Sequence, residues 1–488
     1  MSRASLPAVT HFRPPRLTAG FDEYGRLDAT AHRKVHGPLR ALNANLLVRL
    51  ADEIRLSGRG GAGFPFGRKV RAVLESAQRR QLPAVVVVNA TESEPASWKD
   101  KVLLSRAPHL ILDGAALAAE AIGAEKIVVG LTDDGVGEGS LAAALAERRM
   151  PVPTGIVTVP HRFVSGEGGA LVRGINGEAH VPPGIKTRAS DSGVNSLPTL
   201  LSNAETYAHL ALAARLGPSG YSCVGVADEP GTVLLTVSGA AARPAVVECP
   251  TGTPLRRVLE LCQVPAGAAV LTGGYHGTWI TARSADRATV SRAGFAAVGG
   301  TLGAGVVVSI GPDTCPLGEL AQVVNFLAAE SAGQCGPCRL GLSDLARTVD
   351  LIVAGTGSAE LVRAAAGAVH GRGACGHPDG AARLAASALA VLSDDIATHA
   401  SRHGCGRPVK NQLGVPAGSG TARARLTVDW SRCDGHGLCA HVVPEFVRLD
   451  SNGFPAFPPT PVPVWLEGRA RRAVRMCPAL ALRLTGGG

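Results

Sequence analysis

Six of the eleven cysteines fall into two groups whose spacing is typical of metal or iron–sulfur ligands. They are Cys335, Cys338, Cys375, Cys433, Cys439 and Cys477. The other five are scattered and are predicted to be buried apolar thiols: Cys223, Cys249, Cys262, Cys315 and Cys405. Because the N-terminal stretch MSRASLPAVTHFRPPRL lacks the apolar segment of a signal peptide, ligation is favoured over disulfide bonding.

The first cysteine group has only three members. In the stretch ESAGQCGPCRLG (330–341), Ala332 stands where a further evenly spaced cysteine would fall. Three thiolates suit a 3Fe–4S cluster, or a 4Fe–4S cluster whose last iron takes water, another thiolate or His377. The alternative is a degenerate site of plain thiols that holds no cluster.

The second cysteine group closes the chain. Its pattern is Cys433-x2-His436-x2-Cys439 followed much later by Cys477-Pro478, with Asn452-Gly453 predicted as a hairpin turn between them. The segment resembles short bacterial single-cluster ferredoxins that carry a non-cysteine residue at the second ligand position. That resemblance implies a 3Fe–4S cluster, or a 4Fe–4S cluster with His436 as a ligand.

A dense glycine loop precedes both groups. The stretch SGRGGAGFPFGRK (57–69) lets backbone N–H groups approach a phosphate or a flat ring, and Lys69 adds a charge for a phosphate. By itself the loop is consistent with a nucleotide site or with a flexible turn.

Polar residues follow the predicted buried strand AVVVVNA (84–90). They are Asn89, Glu92, Glu94, Lys99 and Asp100, and two later segments add Glu167, Asn203 and Glu205. Loops at the ends of parallel strands form the ligand site of an open α/β sheet, so these side chains are expected to meet there.

The glycine loop, the acidic loop and the segments FVSGEGGAL and LSNAET together resemble the flavin-binding subunit of respiratory NADH dehydrogenase (complex I) and of related NAD-linked hydrogenases and formate dehydrogenases. The resemblance runs in order over roughly residues 45–400. It implies FMN in the first domain, NADH stacked over it and a 4Fe–4S cluster in a helical domain. By position it assigns FMN binding to Gly58, Gly60, Lys69, Asn89, Gly166, Glu167 and Asn203. It assigns the nicotinamide nucleotide to Gly61, Ala62, Phe64 and Glu94, with Glu94 as the catalytic candidate.

This sequence departs from the family at several positions. Thr91 replaces an aspartate expected on FMN, and Gly168 replaces one of two adjacent glutamates. Ala72 and Asn195 stand where aromatic rings that stack on adenine are expected, and each lost stacking contact costs on the order of 1–3 kcal/mol. The nicotinamide-nucleotide pocket is therefore predicted to be weakened.

The elements that position these residues predict an α/β fold in several domains. We expect an N-terminal extended arm (1–44), a parallel-sheet flavin domain (45–225), a β-grasp-like domain of the SLBB type (231–312) and a helical iron–sulfur bundle (318–403). A linker (404–424) and a C-terminal α+β ferredoxin domain (425–488) follow.

The sequence predicts a cytoplasmic oxidoreductase that passes electrons from NAD(P)H through FMN and iron–sulfur clusters to the fused ferredoxin. Ferredoxins of this type often reduce haem monooxygenases, and a small thioredoxin-like iron–sulfur subunit is a second expected partner. Aromatic residues make up only 4% of the chain, which disfavours a nucleic-acid surface, and no apolar run is long enough to span a membrane. The rival interpretations are a non-enzymatic carrier or assembly subunit with a vestigial NADH pocket, and a scaffold without FMN.

Overall fold

A computed structural model describes residues 6–485 apart from residues 13, 186, 267–268, 417–423, 458–461 and 463. The chain divides into two compact units, Met1–Thr314 and Cys315–Gly488. The strands of the first unit are β1 (Ala8–His11), β2 (Ala84–Asn89), β3 (Ala124–Thr132), β4 (Thr154–Val159), β5 (Thr199–Asn203), β6 (Gly225–Val226), β7 (Glu229–Pro230), β8 (Thr232–Gly239), β9 (Ala245–Pro250), β10 (Ala269–Thr272), β11 (Thr278–Ile280) and β12 (Val306–Ile310). Its helices are α1 (Ala29–His36), α2 (Ala44–Glu53), α3 (Phe66–Arg80), α4 (Lys99–Arg106), α5 (Pro108–Ile122), α6 (Glu138–Ala146), α7 (Gly168–Ile175), α8 (Ala204–Ser222), α9 (Leu255–Leu261), α10 (Ala282–Arg287) and α11 (Arg292–Ala296).

The first sheet is parallel throughout, with strand order β4-β3-β2-β5. The valine run of β2 is fully buried, as a central strand covered on both faces requires. The alternating strands and helices of the predicted flavin domain are therefore present. Helices α5 and α8 pack together so closely that a Cβ added at Gly114 would lie 1.9 Å from the carbonyl oxygen of Tyr207.

The second sheet has six strands in the order β1-β9-β8-β12-β10-β11 and mixes parallel and antiparallel pairs. Its strand–turn–strand–helix start (β8, β9, α9) and the β10–β11 hairpin match the elements expected for the β-grasp-like domain. The glycine-rich stretch before β12, AAVGGTLGAG, leads into a fully buried strand.

The N-terminal segment is more ordered than the extended arm expected over residues 1–44. Strand β1 pairs in parallel with β9, and α1 follows within the same segment. The buried carboxylate of Glu248 accepts hydrogen bonds from the backbone N–H groups of Arg16, Leu17 and Thr18 (2.8–3.2 Å). The sequence did not predict this strand because its partner lies more than 230 residues away along the chain, and such pairing produces no local sequence pattern.

The second unit begins with a helical bundle. Its helices are α12 (Pro316–Ala329), α13 (Leu342–Val353), α14 (Ala359–Val369), α15 (His377–Val391) and α16 (Ser393–Arg402), with a π-helical turn over Pro337–Gly341. Helix α12 buries Leu320, Val323, Val324 and Leu327, the four positions whose spacing predicted it.

The predicted linker is partly fixed to this bundle. The N–H groups of Lys410 and Leu413 donate to the carboxylate of Glu319 in α12, at 2.8 and 3.1 Å. Residues 404–416 are thus tied down where a free connection was expected, and residues 417–423 of the same prediction lie outside the described part of the chain.

The C-terminal domain consists of β13 (Arg425–Val428), α17 (Leu438–Val442), β14 (Arg448–Leu449), β15 (Pro455–Ala456), α18 (Val464–Met476) and β16 (Leu482–Thr485). Strand β13 pairs with β16, and β14 pairs with β15 across the predicted Asn452-Gly453 turn. Within the described residues no single helix is long and apolar enough to cross a membrane, although the bent pair α4 and α5 passes that test by length and composition.

Candidate functional site

The carboxyl ends of two neighbouring strands bring the predicted asparagines together. Asn89 ends β2, Asn203 ends β5, and the two are register partners in the parallel sheet. The Nδ2 of Asn89 donates to the carbonyl of Gly166 at 2.9 Å, which draws the third glycine-rich segment to the same edge. Residues from three distant segments therefore meet where an α/β sheet places its ligand.

A buried charge network lies beneath this edge. The Nζ of Lys99 lies 2.8 Å from the carboxylate of Asp100 and 3.0 Å from that of Glu205. Burial disfavours the Lys99 cation, but the two carboxylates outweigh this effect and hold the pKa of Lys99 above its usual value. Burial raises the pKa of Asp100 to about 6 in spite of Lys99, whereas the pKa of Glu205 is held low by Lys99 against its burial. Asn203 joins the network, since its Nδ2 donates to Asp100 at 2.5 Å.

An arginine from a distant part of the sequence forms hydrogen bonds with the glycine loop (57–69), and the sequence analysis did not predict this contact. The guanidinium of Arg292 donates to the carbonyls of Gly58 (2.9 Å) and Gly61 (3.3 Å), while its backbone N–H donates to Glu229 (2.8 Å). The same carboxylate pairs with buried Arg59 of the loop at 3.1 Å. These contacts fix the loop conformation, so it is not a flexible turn.

The residues at this edge fit a flavin mononucleotide. A Cβ at Gly166 would lie 2.5 Å from the Ser93 hydroxyl, so this position requires glycine, and a Cβ at Gly60 would make a tight contact of 3.3 Å with the Asn203 side chain. The hydroxyl of Ser165, which precedes the predicted FMN residue Gly166, is buried and has no hydrogen-bond partner among the described residues. An unpaired buried donor beside a glycine-lined surface is the chemistry expected of a phosphate or ring-oxygen site.

Lys69 and Glu167 have their own contacts in the fold. The Nζ of Lys69 donates to the carbonyl of Leu201 in β5 at 3.0 Å, and burial lowers the pKa of this lysine. Glu167 caps α7, since its carboxylate accepts from the N–H of Ala170 at 2.9 Å. Lys69 thus reaches the same sheet edge as the asparagines, while Glu167 has a structural role next to Gly166.

Glu94 contacts an aromatic cluster of Phe163, Tyr275 and His276, which the sequence analysis did not predict. Its Oε2 accepts from the backbone N–H of Tyr275 at 3.0 Å, and its shielded Oε1 has no partner among the described residues. Burial raises the pKa of Glu94 to about 8 despite that hydrogen bond. The Phe163 ring stacks near the Tyr275 ring (6.2 Å between centroids) and meets His276 edge-on at 4.8 Å.

The residues expected to contact the adenine lie at the surface. The Phe64 side chain is 44% exposed, and the Arg68 guanidinium lies 5.5 Å from the centre of its ring. Asn195 is exposed and adopts a positive φ of 51°, which asparagine tolerates better than an aromatic residue does. Phe64 is therefore available for stacking, whereas Asn195 supplies no ring.

The three cysteines of the helical bundle are neighbours. Burial, together with the adjacent Cys335 and Cys375 thiols, raises the pKa of Cys338 to about 12. Ala332 is buried at 5% exposure, and its backbone N–H donates to the Cys338 thiol. One ring nitrogen of His377, Nε2, is engaged with the carbonyl of Leu327 at 2.8 Å. Three cysteine thiols thus lie together here, and the buried residue at position 332 offers a methyl group in place of a fourth thiol.

The ferredoxin cysteines also lie together. Burial raises the pKa of Cys439, and the nearby Cys433 and Cys477 thiols add to the shift. His436 is exposed, between two glycines with positive φ (Gly435 and Gly437). This loop leaves the three sulfurs partly buried and the imidazole in solvent.

An ion pair links the two cysteine regions of the second unit. Arg339, which follows Cys338, pairs with Glu445 of the C-terminal domain at 3.3 Å. Glu445 also pairs with Arg469 of α18 at 2.6 Å. The loop carrying the first cysteine group therefore contacts the ferredoxin-like domain directly.

Three family models match successive parts of this chain, in the order that the sequence motifs predicted. The Nuo51 FMN-binding domain matches residues 51–212, the NADH-ubiquinone oxidoreductase-F iron–sulfur binding region matches residues 319–399, and a 4Fe-4S single cluster domain matches residues 426–484. The chain is thus similar to these flavoprotein subunits over most of its length and carries a ferredoxin-like region after them. It therefore has an FMN-binding domain and two iron–sulfur regions.

Relatives and a solved structure agree with this assignment. The chain is 29% identical to an F-type subunit of the NADH-quinone oxidoreductase of Rhizobium meliloti, over 77% of this chain and 93% of that protein. It is 27% identical to the HndC subunit of the NADP-reducing hydrogenase of Solidesulfovibrio fructosivorans, over 82% and 83%. An NAD+-reducing NiFe hydrogenase in the air-oxidized state superposes with a TM-score of 0.70 at 25% identity, covering 84% of this chain and 71% of that one.

The family resemblance, the α/β fold with helical and ferredoxin-like regions, and the FMN and iron–sulfur cofactors are thereby confirmed. The individual ligand residues and the domain boundaries stay predictions. Two features were not foreseen. The first is Arg292, which is distant in sequence from the glycine loop that it contacts. The second is the Phe163–Tyr275–His276 cluster, whose residues come from two predicted domains. The only sequence signal for this cluster was the glycine-rich turn TGGYHG.

Proposed function

We propose that this chain is an FMN- and iron–sulfur-dependent oxidoreductase that takes electrons from NAD(P)H and delivers them through its fused ferredoxin to a separate redox protein. The observation that carries the proposal is the meeting of the glycine loop with Asn89, Gly166 and Asn203 at one sheet edge. FMN bound there would accept two electrons from a nicotinamide nucleotide and release them singly to iron–sulfur clusters.

The chain's own groups have distinct tasks in this proposal. Gly58, Gly60, Asn89 and Asn203 bind the flavin, and Lys69 supplies a positive charge for its phosphate. The Lys99 network beneath them holds Asn203 in orientation, since Asn203 is bonded to both Lys99 and Asp100. Preorganised donors of this kind position a cofactor without further rearrangement.

Glu94 is the group proposed to face the nicotinamide nucleotide. With a pKa of about 8 it is largely protonated at neutral pH. A neutral carboxyl donates a hydrogen bond to a carboxamide oxygen and does not repel the nucleotide phosphates. Gly61, Ala62 and Phe64 would form the other side of that pocket.

The Arg339–Glu445 pair supports transfer between the two cysteine regions, because it holds the loop of Cys335 and Cys338 against the ferredoxin domain. A fused acceptor is present at an effective concentration of roughly millimolar, so no diffusional encounter is needed. A haem monooxygenase as the final acceptor, and a small thioredoxin-like iron–sulfur subunit as an additional partner, are parts of this proposal that rest on resemblance alone.

The test is anaerobic stopped-flow mixing of the FMN-loaded protein with NADH, and separately with NADPH, followed at the flavin absorbance. Fast bleaching followed by loss of iron–sulfur absorbance supports the proposal. No bleaching with either nucleotide, while dithionite still reduces all centres, refutes it.

The second candidate function is a carrier reduced by a separate reductase, and Ala72 and Asn195 favour it because both replace stacking rings. The variant Ala72→Phe separates the two, since a competent pocket gains on the order of 1–3 kcal/mol of nucleotide affinity from a restored ring. The matched control is Gln78→Phe on the exposed face of the same helix, α3. Equal affinities in wild type, variant and control would favour the carrier.

A further inference from the structure

Three potential metal ligands meet at one end of the helical bundle, outside both predicted cluster sites. Cys315 immediately precedes α12, His399 lies in α16, and Cys405 follows that helix. The two sulfurs and a ring nitrogen all lie within 4.8 Å of one another. Cys315 and Cys405 were predicted to be unrelated buried thiols, so this arrangement is a product of the fold.

The distances suit a tetrahedral ion. The Sγ of Cys315 lies 3.4 Å from the Nε2 of His399. Zinc with Zn–S of about 2.3 Å and Zn–N of about 2.0–2.1 Å has an N···S edge of about 3.5 Å and an S···S edge of about 3.8 Å. The distance between Cys315 and His399 therefore already matches a zinc site, and the two distances to the Cys405 sulfur are at most 4.8 Å.

The imidazole is oriented as a ligand. The Nδ1 of His399 lies 2.7 Å from the carbonyl of Val353, so Nδ1 carries the proton and Nε2 presents its lone pair to the sulfurs. A backbone carbonyl on the distal ring nitrogen is the usual support of a metal-bound histidine.

Both sulfurs accept hydrogen bonds from groups in their own segments of the chain. The Sγ of Cys315 accepts from the N–H of Gly318 at 3.3 Å, as the N-terminal cap of α12. Cys405 accepts hydrogen bonds from the backbone and side chain of Arg407, whose charge is balanced by an ion pair with Asp395. Two thiolates would neutralise a divalent cation.

We propose that Cys315, His399 and Cys405 bind a zinc ion. Thiolate and imidazole ligands at tetrahedral spacing select zinc over the hard cations. Cys315 and His399 are buried whereas Cys405 is partly exposed, so the fourth position faces solvent and takes water.

The ion would join the first and last segments of the helical bundle at the base of the connection to the ferredoxin domain. That connection is already attached to α12, because the N–H of Cys315 donates to the carbonyl of Pro408 at 2.8 Å and Glu319 accepts from Lys410 and Leu413. Zinc adds a third tie, and the stabilising effect is large when a clip closes a long loop.

The experiment is elemental analysis of zinc, iron and FMN in the full-length holoprotein produced with zinc present. Cys405→Ser and His399→Asn are compared with Cys223→Ser, a control that changes an exposed cysteine in the other unit. We expect one zinc per chain in wild type and control, and loss of zinc with unchanged iron and FMN in both site variants. We also expect faster proteolysis around residues 404–424 in those variants.

Several results would overturn the proposal. They are a wild-type protein without zinc even after incubation with zinc, zinc retained in both site variants, or zinc that disappears only together with iron. A Cys315–Cys405 disulfide found by mass spectrometry after anaerobic thiol blocking also excludes the site. X-ray absorption of the wild-type zinc needs no variant, and a shell of three or four sulfurs would refute the Cys2His assignment.

Discussion

The raised pKa of Glu94 predicts an unusual pH dependence of stability for the unit that contains it. In the folded protein the carboxyl keeps its proton up to a pKa of about 8, whereas an unfolded glutamate ionises near 4.5. The folded state therefore binds more protons in this range, and its free energy of unfolding falls as the pH rises through it. This is the opposite of the usual carboxylate, whose stabilising effect is lost on acidification.

The size of the effect follows from one proton. Each pH unit between the two pKa values costs about 1.4 kcal/mol, so raising the pH from about 6 to about 8 costs about 2 kcal/mol. For a unit of this size that corresponds to a fall of roughly 3 °C in the midpoint of thermal unfolding. Glu94→Gln has the same shape and no proton to lose, so the variant lacks this decrement.

The assay is differential scanning fluorimetry or calorimetry of the FMN-loaded protein at several pH values, with the variant subtracted from the wild type. Subtraction removes the other titrating groups, including Asp100. Glu53→Gln is the matched control, because Glu53 is exposed and lies in the same unit. Parallel pH profiles for wild type and Glu94→Gln would refute the raised pKa, and with it a protonated Glu94 facing the nucleotide.

Three further outcomes are expected. Gly114→Ala forces α5 away from Tyr207 and destabilises the flavin domain by about 2–3 kcal/mol or more, measured by denaturant unfolding. Lys99→Met removes the cation that pairs with the buried carboxylates of Asp100 and Glu205, which costs about 3–5 kcal/mol and releases FMN on gel filtration. Ala332→Cys supplies a fourth thiolate to the helical bundle, so iron per chain and the low-temperature EPR signal of a 4Fe–4S cluster both increase.

The first two variants have matched controls. Gly139→Ala lies in α6 with no atom near the added methyl group and should leave stability unchanged or slightly improved. Lys126→Met removes a partly exposed lysine from a 3.7 Å pair and should cost less than about 1 kcal/mol. An Ala332→Cys protein with unchanged iron would mean that the helical site is not assembled as a cluster.

Local sequence patterns predicted the elements and the side chains at strand ends well. The valine run of β2 and the glycine loop have strong signals, because burial on both faces and positive φ restrict residue type at each position. The two cysteine groups were also predictable, because cluster ligands recur at short and characteristic sequence spacings.

Contacts over long sequence distances were not predictable. Arg292 is about as far along the chain from the glycine loop as β9 is from β1, and no periodicity connects them. Likewise Cys315, His399 and Cys405 are too far apart along the chain for their spacing to indicate a common site, and the return of α16 to the start of α12 brings them together. The prediction of an extended N-terminal arm was wrong because β1 pairs with β9, and this contact exists only once the six-stranded sheet has formed.

The pairing of β1 with β9 also sets an order of events during synthesis. A ribosome making about 5–20 residues per second reaches β9 roughly 10–50 s after β1 has left the exit tunnel. For that interval the N-terminal strand and the backbone N–H groups that later bind Glu248 have no partner. The nascent chain thus carries this strand without its partner through the translation of the entire flavin domain, so the β1–β9 edge is completed only after that domain has been made.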